Sequence, residues 1–446
     1  MSVTTGPRRS PAKAVIASWI GTTIEYYDFA IYGLASSLVF AKLFFPTFDP
    51  LAGTLIALST FGVGYVARPL GALVFGHFGD RIGRRTVLVV TLLMMGGSTF
   101  LIGLLPTYAS IGLGAPILLV ALRVLQGISV GGEYSGAVLM TVEHSERARR
   151  GVRGALVNTG TSTGMILSNL VFLAVLTLPE QALLSWGWRI PFLLSGILVV
   201  VGLVVRWTLE ESPDFVEAKQ AGAVRRLPLV EVLRGSGRAV VLVALATISA
   251  GMVFTLTTVF SISYGRLALG LSSSTMLSVL LPAAVVLLVA IPIAGRLADR
   301  VGVRRVFLVG AAGLVVTPFV WFALLDTRSY GLMLLGFAVV FLAYSANYAV
   351  FPVYFSGVFP PALRFSGMGI GFTIGTILGN AFAPAVAASL LEATGGWWGI
   401  ALYMAGGAVV SLLAGLALRL PADGPAAPAR PTATGPETSA VPTAGA

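Results

Sequence analysis

Twelve apolar stretches run through this chain, each near or above the roughly 20 residues that a helix needs to cross a bilayer. They lie at about 15–40, 51–76, 86–106, 115–142, 154–178, 189–209, 238–264, 273–295, 306–325, 330–356, 365–391 and 397–419. Hydrocarbon offers no water to backbone N–H and C=O groups, so only helices and closed barrels cross it, and stretches of this length are helical. Composition agrees. Of 446 residues, 56% are hydrophobic and 11% charged, against about half and a quarter in a soluble domain. The expected fold is an all-α polytopic membrane protein with twelve transmembrane helices in a lipid bilayer.

The net charge of +11 raises a nucleic-acid partner, but its distribution excludes one. Most Lys and Arg fall on one alternating set of loops and termini: Arg8, Arg9 and Lys13; Arg81, Arg84 and Arg85; Arg147 to Arg153; Arg206 to Arg238; Arg296 to Arg305; Arg364; and the tail. The opposite loops carry only Lys42, Arg189, Arg266 and Arg328. This is the positive-inside pattern, with both termini cytoplasmic. The basic start of the chain mimics a signal peptide, but the following run is too long and contains acids, so it reads as a retained first span. There is no cysteine, and the two histidines, His77 and His144, are far apart in sequence, so no metal or cofactor is expected. Arginine far outnumbers lysine, and Ala and Gly abound, as in a GC-rich bacterial genome; the expected location is the bacterial inner membrane.

The chain repeats itself. Gly76-His-Phe-Gly-Asp80-Arg81-Ile-Gly83-Arg84-Arg85 follows the second span, and Gly295-Arg-Leu-Ala-Asp299-Arg300-Val-Gly302-Val-Arg304-Arg305 follows the eighth. Six spans thus recur in the same orientation, a parallel duplication about an axis along the membrane normal. The expected organisation is a disordered N-terminus (1–13), a six-helix half (14–209), a charged cytoplasmic linker with short amphipathic helices (210–237), a second six-helix half (238–420) and a disordered tail (421–446) rich in Pro, Ala, Thr and Gly.

Charges inside the spans are the functional clue, because each costs roughly 3 kcal/mol or more in hydrocarbon on insertion scales. On the first span, Ser18, Gly21, Glu25, Asp28 and Tyr32 share one stripe. Glu25 stands roughly 18 Å along the axis from Lys13, and Arg68 on the antiparallel second span reaches a similar depth. The two can neutralise each other, either as a permanent pair that only positions two helices or as part of a working site. Gly64 and Gly71, on the face of Arg68, permit close backbone approach. With Arg68 holding one acid, Asp28 is the leading proton-coupling carboxylate, and Glu133 on the fourth span competes with it. Arg123 shares that span, placed towards its outer half, where it is either part of the coupling machinery or an outer gate. The second half carries no charge at span centres and offers hydrogen bonds and rings instead. Tyr344, Asn347 and Tyr348 on the tenth span are candidates against a background of aromatic packing; Thr255, Thr258, Ser261 and Tyr264 on the seventh, Asn158 on the fifth and Asn380 on the eleventh are further ones. Gly367, Gly371, Gly375 and Gly379 form a small-residue seam compatible with rocking halves.

The paired Gly-x3-Asp-Arg-x-Gly loops resemble the signature of the major facilitator superfamily. Within it, an ordered series resembles the metabolite:proton symporter family: Gly21-Thr-Thr-Ile-Glu25-Tyr-Tyr-Asp28-Phe-Ala-Ile-Tyr32-Gly33, Arg68-Pro69-Leu-Gly71, Arg123-Val-Leu-Gln126-Gly127 with Gly131-Gly132-Glu133-Tyr134, Trp186-Gly-Trp-Arg189-Ile-Pro191-Phe192, Glu210-Glu211-Ser212-Pro213, and Phe359-Pro360 with Arg364-x-Ser366-Gly367. The resemblance covers about residues 14–420. It implies the major facilitator fold and a central cavity lined by the Arg123–Gln126 segment, which helps proton coupling. The reading of the residues themselves gives Asp28, Glu133, Glu25 and Arg123 as candidates for proton coupling and Arg68, Tyr32, Gln126, Asn158, Tyr344, Asn347 and Tyr348 as candidates for substrate contact. It makes Asp80, Arg81, Arg84, Arg85, Asp299 and Arg300 gates, in which each aspartate pairs with arginines or caps a helix N-terminus. Two departures stand out. Val303 replaces the arginine found at position 84 of the first signature, and the fifth span reads Asn158-Thr-Gly160-Thr-Ser-Thr-Gly164, without the Gly-Pro motif of family antiporters.

The expected activity is secondary active transport: proton symport of a small organic acid such as shikimate by alternating access, in a monomer. Intramembrane arginine favours a carboxylate-bearing metabolite, since a guanidinium binds carboxylate through two hydrogen bonds. A zwitterion of the proline or betaine type is the alternative. No catalytic cluster argues for a membrane enzyme, and no Gly-x4-Gly-Lys-Ser/Thr loop for an ATP-driven pump.

Overall fold

In the computed structural model, residues 11–72, 74–75, 84–131, 141, 149–207, 228–360 and 363–418 are described. The spans are α1 (Pro11–Ala35), α2 (Pro50–Val66), α3 (Arg84–Leu104), α4 (Gly114–Val130), α5 (Arg150–Val175), α6 (Ile190–Trp207), α7 (Pro228–Thr255), α8 (Ser273–Val301), α9 (Val303–Asp326), α10 (Tyr330–Tyr348), α11 (Arg364–Thr376) and α12 (Trp398–Ala417). Among the described residues nine helices are long and apolar enough to cross a membrane, and Val89–Leu104 and Gly114–Val130 add two shorter apolar ones. The twelfth, α5, is long but polar. Asn158, Thr159, Thr161, Ser162, Ser168 and Asn169 are all buried in it, so it reaches lipid little and packs against α1 and α8.

Several spans are not simple rods. Pro69 has no N–H to donate and crowds the carbonyl of residue 65; α2 breaks at Ala67 and resumes through Arg68 to Ala72. The chain of α1 passes into a π-helical turn at Ser36–Phe40 and that of α7 into one at Leu256–Phe260, equivalent positions in the two halves. The chain of α11 does the same at Ile377–Ala381. Following α10, the helix is interrupted and restarts as Phe351–Val358 with proline in its first turn. Such breaks survive at membrane depth only where the freed backbone faces protein or a cavity. The linker region contributes one described element: the first turns of α7, which join the span across a kink at Ser236. Residues 208–227, the first ten and those from 419 lie outside the description, as do the expectations placed on them.

The halves meet along two seams, α5 on α8 and α2 on the π-turn and helix that follow α11. Within the first half, α2 and α4 pack backbone to backbone. A β-carbon at Gly71 would collide with the Ile128 carbonyl, and one at Gly131 with that of Arg68. The seam of α11 lies elsewhere than the rocking picture requires. Gly371, Gly375 and Gly379 pack on α7, inside the second half, and Gly367 packs on Phe359. It holds one half together and does not lie between the two.

The Trp-Gly-Trp-Arg motif has a structural task. Trp188 and Phe192 form an aromatic cluster with Phe40 and Phe44. Arg189 donates to the carbonyls of Gly103 and Leu105 at 2.8 and 2.6 Å, satisfying orphan acceptors at the end of α3. Removing a charged donor from such acceptors costs about 1.5–3 kcal/mol. Arg189→Ala is therefore expected to lower thermal stability in detergent by about that amount, with Arg189→Lys recovering part of it; an unchanged melting curve for Arg189→Ala would contradict this role.

Candidate functional site

Two charged clusters sit inside the first half. Glu25, Asp28, Arg68 and Arg123 are 5%, 0%, 7% and 0% exposed. The expected depth match is real: Arg68, at the proline kink of α2, meets Glu25 at 3.3 Å. That contact uses one terminal nitrogen, and Arg68 Nε has no hydrogen-bond partner. The guanidinium lies against the rings of Tyr65 and Phe29 at 4.4 and 4.6 Å.

Asp28, one turn further along α1, turns to α3. Its Oδ2 accepts from Thr99 Oγ1 at 2.9 Å, and its Oδ1 has no partner. Thr99 Oγ1 in turn accepts from Gln126 Nε2 at 2.8 Å, and Gln126 Oε1 accepts from Arg123 at 2.5 Å. Asp28 is thus wired to Arg123 through two neutral side chains. Thr99 carries one hydroxyl proton but stands within reach of two acceptors, Asp28 and the Met95 carbonyl at 3.0 Å. It can serve a carboxylate at Asp28, or turn to Met95 when Asp28 carries a proton of its own to donate.

Arg123 is fully buried among the helices of the half. It donates to the Phe61 carbonyl at 3.3 Å and lies over the rings of Tyr32, Phe29 and Phe61 at 4.1, 4.3 and 5.2 Å. Among the described residues no carboxylate lies within 4 Å of it. Phe29 contacts both guanidinia and so separates the Glu25–Arg68 pair from the Asp28–Arg123 relay. Glu133 lies outside the described residues.

Between the halves lies a narrow cavity lined by Tyr26, Tyr65 and Arg68 from the first half, and from the second by Thr247, Ala250, Gly251, Phe254, Tyr344, Tyr348, Phe351, Phe372, Thr376 and Asn380. Its walls are largely aromatic, and among the described residues Arg68 is its one charged lining residue. Tyr26 and Tyr348 touch hydroxyl to hydroxyl across it at 3.2 Å, and Thr161 reaches the Tyr348 hydroxyl at 3.3 Å.

Of the seven residues expected to contact substrate, the structure brings Arg68, Tyr344 and Tyr348 to the cavity. The other four face elsewhere. Asn347 points to α9, its Nδ2 donating to the Phe307 carbonyl at 3.4 Å. It lies one helical step from Tyr348, about 100° round α10. Asn158 donates to the Tyr348 carbonyl at 3.0 Å and joins the halves behind the cavity. Tyr32 donates to Thr60 at 2.7 Å, and Gln126 is consumed in the relay. Tyr26, Tyr65 and Thr99 were missed. The first two are aromatics beside charged residues, and a threonine in an apolar span carries no signal of its own.

The signature behaves as a cap. Asp299, at the end of α8, accepts the backbone N–H groups of Gly151 and Val152 at 2.7 and 3.0 Å, at the N-terminus of α5 in the other half. A carboxylate there satisfies orphan donors and meets the positive end of the helix dipole. Arg300 is exposed. Asp80 and Arg81 lie outside the described residues, as do the side chains of Arg84 and Arg85.

Sequence comparison places these features in a family. Residues 13–226 match the family described as Sugar (and other) transporter, and residues 273–444 match the Major Facilitator Superfamily. The chain is 37% identical to the shikimate transporter of Escherichia coli (strain K12) over 413 residues, covering 91% of this chain and 94% of that protein. It is 37% identical to the inner membrane metabolite transport protein YhjE of the same organism, over 92% of this chain and 94% of that one. It is 32% identical to the proline/betaine transporter of Salmonella typhimurium, covering 95% and 86%. A solved D-xylose-proton symporter superposes with a TM-score of 0.71 at 18% identity, over 91% of this chain and 97% of that one; at that identity the likeness is one of fold.

Replacing a single partner of a buried pair strands a charge and costs about 3–5 kcal/mol, whereas replacing both by apolar residues is often neutral. Arg68→Met alone is expected to destabilise the fold, and Arg68→Met with Glu25→Leu to restore it. If the pair only positions helices, the double variant also regains transport; if Arg68 works in the cavity, thermal stability returns and uptake does not.

Proposed function

The chain belongs to the major facilitator superfamily of membrane transporters, and we propose that it takes up a small carboxylate-bearing metabolite, of the shikimate type, by proton symport and alternating access. It is a transporter and not an enzyme. The observation that carries the substrate class is Arg68: one guanidinium in a largely aromatic cavity between the halves, bound to Glu25 through one nitrogen only. A solute carboxylate entering that cavity meets a donor fork that binds it in two-pronged fashion, while rings pack against the solute's carbon frame. The solute competes with Glu25 for Arg68.

Asp28 is the proposed proton carrier. It is fully enclosed, has one oxygen without a partner, and is connected to Arg123 through Thr99 and Gln126. Protonation removes a charge from hydrocarbon depth and releases the Thr99 hydroxyl to Met95, so the relay differs between the two forms. Glu133 belongs to the same proposal as a second acid. The positive loops assign the Asp299 end, and both termini, to the cytoplasm of a bacterial inner membrane. The Asp299 cap then holds the cytoplasmic ends of the halves together, in the outward-facing part of the cycle. Both walls of the cavity come from one chain, which supports a functional monomer.

A second reading rests on the same rings. Tyr26, Tyr65, Phe254, Tyr344 and Tyr348 suit a quaternary ammonium by cation–π attraction, with Arg68 taking the carboxylate of a betaine-like zwitterion. Uptake of radiolabelled shikimate, α-ketoglutarate, proline and betaine into proteoliposomes, with and without an inward proton gradient, separates the two. The expected outcome is gradient-driven accumulation of shikimate, reduced at least tenfold in Asp28→Asn while exchange across the membrane persists. Accumulation that survives both Asp28→Asn and Glu133→Gln would overturn carboxylate coupling, and accumulation of betaine alone would favour the second reading.

A further inference from the structure

The three π-turns form one assembly, and Asn380 connects it to the cavity. A π-turn inserts a residue into the helix and loosens the local i→i+4 ladder, freeing carbonyls to accept from elsewhere. Ser37, in the turn that follows α1, donates to the Val259 carbonyl, in the turn that follows α7, at 3.1 Å. Gly33 packs on the Val259 side chain in the same contact. The Ala381 carbonyl, in the turn that follows α11, presses on Gly62 of α2, where a β-carbon would collide with it. Each contact joins one half to the other away from the Asp299 cap: Ser37 and Val259 towards the far ends of their spans, Ala381 and Gly62 nearer mid-span. All three turns are therefore part of a single closure.

Asn380 lies inside the third turn, next to Ala381, and also lines the cavity. Its Oδ1 accepts from Thr255 Oγ1 at 2.6 Å, and Thr255 is the residue immediately before the second turn. Its amide nitrogen sits over Gly251, another cavity residue, at a spot where a β-carbon would approach it to 2.8 Å. One side chain thereby lines the cavity, belongs to the turn bearing Ala381 and is bonded to the residue that leads into the turn bearing Val259.

We infer that Asn380 is a positioning residue that couples the cavity to this closure: the Asn380–Thr255 bond holds the second and third π-turns in the register that presents the Val259 and Ala381 carbonyls to Ser37 and Gly62. A polar solute that hydrogen-bonds Asn380 acts on the closure through that bond. Losing the bond releases the closure without touching the charged relay.

The absence of native cysteine makes the test direct. Spin labels on Thr47→Cys and Ala268→Cys, exposed positions beyond the closure, report its opening by pulsed electron–electron distance measurement in liposomes with no solute and no proton gradient. A second pair, Arg149→Cys and Arg305→Cys, reports the other end. Asn380→Ala and Thr255→Val are each expected to raise the separated population of the first pair roughly two- to tenfold, as loss of one hydrogen bond does, and to leave the second pair unchanged. Gly62→Ala is expected to separate the first pair by direct collision. Separation in Gly62→Ala with none in either Asn380→Ala or Thr255→Val would overturn the coupling, and no separation in any of the three would overturn the closure. If Asn380→Ala broadens both pairs through misfolding, Thr255→Val, which removes the same bond by exchanging a hydroxyl for a methyl, decides in its place. Neither outcome depends on the substrate or on proton coupling, so failure here leaves the symport proposal standing.

Discussion

The energetic cost of charge in hydrocarbon organises this molecule. Among the described residues of the first half, two guanidinia and two carboxyl groups lie buried at span depth, and each is enclosed differently. Glu25 and Arg68 neutralise each other at 3.3 Å. Arg123 has no acid within reach among the described residues, and aromatic faces and neutral acceptors take the place of one. The rings of Tyr32, Phe29 and Phe61 surround it, with a backbone carbonyl and Gln126 taking hydrogen bonds. Cation–π contacts strengthen when desolvated, so the rings do more here than they would at a surface. Phe29 serves both guanidinia. A single side chain thus keeps two like charges apart and prevents the two clusters from merging into one compensated set.

That division has a consequence for coupling. In one merged network, each acid would have an arginine and neither would respond to a proton. With Arg68 committed to Glu25, and Arg123 reaching Asp28 only through Gln126 and Thr99, Asp28 is left with neutral contacts. In the proposed coupling, its protonation would change which of two acceptors Thr99 serves, at the start of the hydrogen-bonded run to Arg123. The second half is built on the opposite principle. Among the described residues it has no charged residue in its cavity wall, and its spans are interrupted near that wall: a π-turn after α7, a restart after α10, a π-turn after α11.

Much of this was legible in the sequence because hydrocarbon makes its demands loudly. Most of the spans follow from apolar length, the duplication from two copies of a glycine–aspartate–arginine loop, and the Glu25–Arg68 contact from rise per residue on antiparallel helices. What stayed hidden was side-chain direction within a span. Asn347 and Tyr348 are neighbours in sequence, yet one faces α9 and the other the cavity. Thr99 is unremarkable among the residues of α3 and becomes a link only because Asp28 and Gln126 approach it from other helices. The glycine run of α11 read correctly as a packing seam, but its partner is α7 and not a helix of the other half, a distinction that spacing does not contain. The π-turns had no sequence signature to read, because a single inserted residue leaves apolar length and composition untouched.

The two seams between the halves are fastened by different chemistry, and alternating access needs that difference. At one end Asp299 caps the α5 backbone, a charge-assisted contact made to N–H groups exposed at a helix start. At the other, carbonyls loosened by π-turns meet a serine hydroxyl and a glycine face, contacts that are neutral and individually weak. A neutral, close-packed fastening releases when its register slips, so it answers to geometry. A charged cap answers to competing ions. Two ends that respond to different stimuli can open at different points of a cycle, whereas two identical fastenings would tend to open together and leave a leak.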